Sequence, residues 1–113
     1  MERVTAAAAA FLGGIDTIVV SSGAGGKTPI FTTAPEEFQR IIDQNLRPLF
    51  LAVRYAAPQL LQAGNGSVTA IASMYALVGQ YERVAYCGAK HGVIGMVRAM
   101  ALDIADGRAR TCA

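Results

Sequence analysis

Charge is scarce in this chain. Only 16% of its 113 residues are Asp, Glu, Lys or Arg, and the net charge is +2. The few charges are mixed in sign, with no Lys/Arg cluster and no stripe of alternating basic and aromatic residues. That pattern argues against nucleic acid as a partner. Histidine occurs once, at His91. Without a second histidine or clustered carboxylates, a metal site has no support. The two cysteines, Cys87 and Cys112, match no metal-ligand spacing. They read as reduced thiols of a cytoplasmic protein, with Cys87 a small helix-packing residue. Long hydrophobic runs are missing too. The apolar stretch Ala6 to Leu12 is far too short to span a bilayer, and it lacks the basic start and cleavage pattern of a signal peptide.

What is present is apolar. Fifty-three per cent of the residues are hydrophobic, which excludes a disordered tail and implies a substantial buried core. The length suits one small domain. Glu2 to Leu12 is Ala-rich and reads as a helix that Gly13 and Gly14 stop. Ile15 to Val20 is a short β-branched run, suited to a strand buried on both faces. Ser21-Ser22-Gly23-Ala24-Gly25-Gly26 follows as a loop. Thr33-Ala34-Pro35-Glu36 reads as a capping box with Pro in the first turn. Phe38, Ile41, Ile42, Leu46, Leu49, Val53, Leu60 and Leu61 then recur at helical spacing, to an end near Ala63-Gly64. After the turn Asn65-Gly66, Ser67 to Ala72 is a second strand candidate. A last long helix is predicted from Val84 to Asp106, with Val93, Val97, Met100 and Ile104 as its stripe and Gly107 as its cap. Ala109 to Ala113 reads as a third strand that the sequence leaves incomplete.

The order helix, strand, helix, strand, helix, strand predicts an α/β fold with parallel strands and right-handed crossovers. There is no internal repeat and no linker. Opening on a helix and stopping inside a strand, the sequence reads as an interior piece of a larger domain.

Ligands of open parallel sheets bind beyond the carboxyl ends of the strands. That rule brings the loop at Ser21 to Gly26 and the loop starting at Ser73 to one crevice, although they lie about fifty positions apart. Asn45 sits on the apolar stripe of its helix and needs hydrogen-bond partners there. Pro48 in the same helix should kink it and leave backbone acceptors near Asn45. A structural role, a satisfied core amide, is the equal alternative. Tyr86 and Lys90 are four apart on one helix face. An ammonium near a phenol favours the phenolate, and such a Tyr can act as general acid/base. By spacing alone the pair is common on helix surfaces. Ser73, at a strand end, is most often a turn former or cap; its hydroxyl can also donate to a substrate oxygen. Tyr75 and Tyr81 flank the following loop, to line a pocket or cover it. Gly25-Gly26-Lys27-Thr28 is like the tail of a phosphate-binding P-loop, but Ser21 stands where that motif needs Gly, and Pro29-Ile30-Phe31-Thr32 stands where it needs a helix.

Taken together the motifs resemble the short-chain dehydrogenase/reductase family. Ile15 to Gly23 is similar to its fourth-strand segment, with Val20-Ser21-Ser22-Gly23 where Asn-Asn-Ala-Gly is usual. Asp43-Gln44-Asn45-Leu46 resembles the segment with the catalytic Asn, and Gly66 to Ser73 the strand that ends in the catalytic Ser. Tyr86-Cys87-Gly88-Ala89-Lys90 is the family's Tyr-x-x-x-Lys pattern, at the usual distance from Ser73. Gly107 to Ala113 resembles the run into the next strand. The family's Gly-rich dinucleotide fingerprint is absent from this sequence, as is the residue that selects NAD or NADP.

The resemblance implies a partial Rossmann-like, doubly wound parallel sheet over residues 1–113. It implies an NAD- or NADP-dependent oxidoreductase acting on a small carbonyl or alcohol substrate. Tyr86 would exchange the proton, Ser73 would hold the reacting oxygen, and both would contact substrate. Lys90 would hold the nicotinamide ribose, Asn45 would hold a water linking Lys90 to solvent, and Ser21, Ser22 and Gly23 would line the cofactor cleft. It further implies a homodimer or homotetramer through helices 33–63 and 84–106. The sequence on its own is expected to be inactive and poorly soluble unless it associates. A non-catalytic oligomerisation or binding module is the alternative, and a P-loop NTPase the lesser one.

Overall fold

Ala-rich sequence and a terminal glycine set the first element of the computed structural model, which describes residues 1–105 and 110–112. Helix α1 spans Glu2–Leu12 and ends at Gly13, whose φ of 78° is left-handed. None of its residues is buried, and Phe11 is 89% exposed. Strand β1, Thr17–Val20, leads to α2, Pro35–Ala63. Strand β2, Ser67–Ala70, leads through a one-turn 3-10 helix, Met74–Ala76, to α3, Val84–Ala105, and β3 is Arg110–Cys112.

The sheet is parallel, in the order β1-β2-β3. Thr17 faces Ser67 and Val20 faces Ala70, while Ser67 faces Arg110 and Thr69 faces Cys112. Each parallel neighbour is reached by a helical crossover, as the alternating pattern predicted. The expected helix end at Asp106, its cap Gly107, and Ala109 and Ala113 of the third strand lie outside the described residues.

Helix α2 buries one stripe: Ile41, Asn45, Leu49, Val53, Ala56 and Leu60. Leu49, Val53, Ala56 and Leu60 of this stripe meet Val68 and Ala70 of β2 and Val93 and Val97 of α3 in the main core. Met100 and Ile104 pack against it, partly buried. Phe38 and Leu61, expected on the same stripe, are 42% and 40% exposed. They fall to the side of the face that the sheet and α3 cover. Helix α2 continues through Pro48 and Pro58, and Gly64 caps it with φ 74°.

Two local expectations change. The capping box does not form: Ala34 is the N-cap of α2, without a side-chain cap. The Thr33 hydroxyl instead donates to the Pro29 carbonyl at 2.7 Å, closing the turn before the helix. Short hydroxyl side chains choose between such local acceptors and a helix end. Pro35 is in the first turn, as expected. Both strands are also shorter than their apolar runs. The ladder contacts reach one step beyond the paired residues, from Ser67 N to Asp16 O and from Ile71 N to Val20 O, both 2.8 Å. Past that point the Ile71 carbonyl accepts from Lys90 Nζ.

Candidate active site

The crevice is built where β1 and β2 end. β1 runs into residues 21–28, and β2 runs into Ile71, Ala72 and Ser73. The Ser73 Oγ caps the 3-10 turn by accepting from Tyr75 N at 3.2 Å. The structural role foreseen for a strand-end serine is therefore real. It uses an acceptor site of the hydroxyl and leaves the proton to donate elsewhere. Tyr75, positioned by this cap, meets Tyr86 edge to face, with ring centroids 6.2 Å apart and an interplanar angle of 80°. Ser73 and Tyr86 are thus linked through one intervening residue. Tyr81, the other aromatic of this loop, is 84% exposed.

Below Tyr86 lies a tight polar cluster. Asn45 is 1% exposed. Its Nδ2 donates to the carbonyls of Ala24 and Ile41, each at 2.8 Å, so α2 grips the loop after β1. Its Oδ1 is buried without a partner among the described residues. Lys90, 4% exposed, donates from Nζ to the Ile71 carbonyl at 3.2 Å. The ammonium is 5.7 Å from the centroid of the Tyr86 ring. Burial pushes the Lys90 pKa down from its ordinary value. Gly23 closes the cluster: a Cβ placed there would sit 2.5 Å from Asn45 Oδ1 and 3.0 Å from Lys90 Nζ. Its φ of 152° is one that side chains rarely adopt. Asn45, Lys90 and the Gly23 backbone therefore converge on one point.

The start of α3 is fixed from a distance. Thr28 is 1% exposed, and its Oγ1 accepts from Ala85 N at 3.1 Å. This is a helix cap supplied by a residue 57 positions earlier. Thr28 N donates to Glu82 O at 2.7 Å, Thr28 forms an isolated parallel bridge with Arg83, and Lys27 pairs with Glu82 at 3.0 Å. Glu82 adopts φ 55°, the one positive value among non-glycine residues described. Lys27 and Thr28 thus enter a bridge rather than a helix N-terminus, and the P-loop alternative falls on that geometry.

Of the predicted residues, Asn45, Gly23, Lys90 and Tyr86 come together, and Ser73 joins them through Tyr75. Ser22 Oγ is buried without a partner among the described residues. Ser21 and Ser22 line a cleft of about 450 Å³ between β1 and α1, with Val4, Ala8, Pro48 and Ala52. Among the described residues, no cluster of His, Cys, Asp and Glu is placed to hold a metal. Sequence reasoning weighed Thr28 only as the end of a P-loop-like tail, since its neighbours in sequence carry no sign of its distant partner. It passed over Arg83, the residue just before α3, whose side chain meets the Gly-rich loop.

The sequence model of the short chain dehydrogenase family matches residues 1–112. A 2-dehydro-3-deoxy-L-rhamnonate dehydrogenase (NAD(+)) of Sphingomonas sp. (strain SKA58) is 37% identical over 98 residues, 86% of this chain and 39% of that protein. A cyclohexanol dehydrogenase of Acinetobacter sp. (strain SE19) is 41% identical over 71 residues, 63% of this chain and 28% of that protein. The crystal structure of a carveol dehydrogenase from Mycobacterium avium in complex with NAD superposes with a TM-score of 0.90 at 28% identity, covering 96% of this chain and 40% of that one. The chain spans well under half the length of these relatives. With its motifs in place and the family match running over almost its whole length, the chain belongs to the short-chain dehydrogenase/reductase family.

Proposed function

We propose that this chain carries the acid–base centre of an NAD- or NADP-dependent oxidoreductase that interconverts a small alcohol and its carbonyl compound. The observation that carries the reading is the convergence of Gly23, Asn45 and Lys90 beside the Tyr86 ring. A buried ammonium, a partnerless buried amide oxygen and a backbone stripped of its Cβ suit a ligand rich in hydroxyl groups. The ribose of a nicotinamide dinucleotide is such a ligand, so the residues fit the cofactor that the family implies. When bound, that cofactor would supply or accept the hydride.

The chain's own residues would do the rest. Tyr86 would give its phenolic proton to the carbonyl oxygen during reduction and take one from the alcohol during oxidation. The Ser73 hydroxyl, anchored by Tyr75 N, would donate its proton to the same oxygen and hold it in place. Lys90, tied to Ile71 O, would present its remaining N–H donors to the ribose and favour the phenolate by its charge. Asn45, locked through Nδ2, would offer Oδ1 to a water on the path from Lys90 to solvent. Gly23 would bring the loop backbone against the cofactor, with Ser21 and Ser22 alongside.

Two coarser features complete the reading. Among the described residues no helix is long and apolar enough to cross a membrane, and the free thiol of Cys87 is in keeping with the cytoplasm. Helices α2 and α3 leave Phe50, Tyr55 and Leu102 exposed, which supports a homodimer or homotetramer through these helices.

The test, made on the protein as its source produces it, is Tyr86→Phe, which keeps the edge-to-face contact with Tyr75 and removes the proton. Turnover of an alcohol with NAD or NADP should fall by roughly a hundred- to ten-thousandfold, with cofactor binding retained in a titration. Unchanged turnover would remove Tyr86 from the mechanism.

A further inference from the structure

Arg83 is half-buried, and its side chain has neither a hydrogen bond nor an ion pair among the described residues. Nearby acids are engaged elsewhere: Glu82 holds Lys27, and Glu37 holds Arg40. The fold uses only the Arg83 backbone, which bridges Thr28 and accepts from Cys87 N at 2.8 Å. Any residue would serve that purpose. The position is also poor for a cation, because the positive end of the α3 dipole starts there and α3 has no acidic residue in its first turn. Stability of the helix does not account for the arginine.

Its location does. A Cβ built on Gly25 would lie 3.5 Å from Arg83 Nη1 and 3.5 Å from Tyr86 Cδ2. The guanidinium and the edge of the Tyr86 ring thus flank the same point, and glycine leaves that point open. A guanidinium offers a rigid fork of donors that matches the two oxygens of a carboxylate. Phosphate could use the same fork, but one unassisted arginine suits a singly charged carboxylate better than a dianion.

We propose that Arg83 is a specificity-determining residue that pairs with a carboxylate of the substrate, so that the enzyme acts on a small hydroxy acid or oxo acid. This rests on the reading of Tyr86 as the acid–base residue, since the carboxylate is placed relative to the oxygen that Tyr86 serves. Gly25 supplies the room for the acid group between the two side chains.

The experiment has a binding arm and a turnover arm. In the first, acetoacetate, levulinate and their methyl esters are titrated calorimetrically into the cofactor-bound protein. The parent should bind at least one of the acids more tightly than its ester. Arg83→Gln should weaken that acid by about ten- to a hundredfold and leave the ester unchanged. Arg83→Lys, with its charge but without its fork, should fall between them. Gly25→Leu provides a second route: it fills the space beside the guanidinium while residue 83 stays arginine, and it should also weaken the acid. Circular dichroism verifies that each variant is folded. If the esters bind as well as the acids, or if Arg83→Gln binds the acid like the parent, the proposal is overturned. In the second arm, the protein is assayed with the matching hydroxy acids and with neutral alcohols. Turnover of neutral alcohols alone, abolished by Tyr86→Phe, would leave the dehydrogenase reading intact and remove the carboxylate. Acid binding that depends on Arg83, without any turnover that depends on Tyr86, would remove the dehydrogenase reading and leave an acid-binding site.

Discussion

Gly23 and Gly25 stand two residues apart in one loop, and they do opposite things. At Gly23 a single added carbon would collide with Asn45 Oδ1 at 2.5 Å and crowd Lys90 Nζ at 3.0 Å. At Gly25 the same carbon would make ordinary contacts at 3.5 Å. The first half of the loop is gripped, since Ala24 O receives the Asn45 amide. The second half is held at its far end, where Thr28 caps α3. Between these anchors the backbone presents one filled position and one open one. Glycine in a loop therefore has two distinct uses here, close approach to buried polar groups and the clearing of space beside a reactive ring.

The largest expected effect on stability comes from pressing on the filled position. Gly23→Ala should destabilise the protein by about 1–3 kcal/mol, because φ is unfavourable and Asn45 is pinned by two hydrogen bonds. Chemical denaturation measures it. A loss below that range would mean that Asn45 can yield, and the contrast between the two glycines would weaken. Next comes the anchor. Thr28→Val keeps the shape and removes the acceptor of Ala85 N, so about 0.5–2 kcal/mol should be lost, and Thr28→Ser should recover part of it. A Val variant as stable as the parent would show that the distant cap contributes nothing.

Lys90 gives a pH-dependent test of the gripped half. Its folded-state pKa is depressed by burial below the ordinary 10.5. The unfolded chain therefore binds more protons than the folded one between those two values. The cost of burying the charge is fully present below the folded pKa and is lifted as pH rises towards 10.5. The stability of the parent relative to Lys90→Met should thus improve with rising pH across that window. Melting curves from neutral pH to about pH 10.5 check the sign. A gap that widens against the parent would contradict the burial. The smallest effect belongs to the open position: Gly25→Ala should change stability by no more than about 0.5 kcal/mol. A large loss there would erase the distinction between the two glycines.

Much of this is legible in the sequence, for reasons that differ by element. Helix α1 was read to the residue because an alanine run meets Gly13, whose left-handed φ ends it. The buried stripe of α2 was legible from its period, and the outlier Asn45 stood out because an amide there must find partners. Strand lengths were overestimated, since Ile71 and Ala72 are as apolar as their neighbours and nothing local shows that the Ile71 carbonyl goes to Lys90. The capping box failed because Thr33 had a closer acceptor at Pro29. Among the site residues, Asn45, Lys90 and Tyr86 carried recognisable spacing. Thr28 and Arg83 carried none, because their roles depend on contacts between the Gly-rich loop and α3, segments far apart in the chain.

The cap that Thr28 gives to Ala85 also bears on the order of folding. The two residues are 57 positions apart, so their hydrogen bond closes a long loop and carries the entropic cost of doing so. Helix α3 can gain its middle turns from local contacts, but its first turn is finished only when the distant loop has docked. Tyr86 belongs to that first turn. Its placement is thus expected late in folding, after the core contacts of the middle turns, so that the acid–base centre is assembled last.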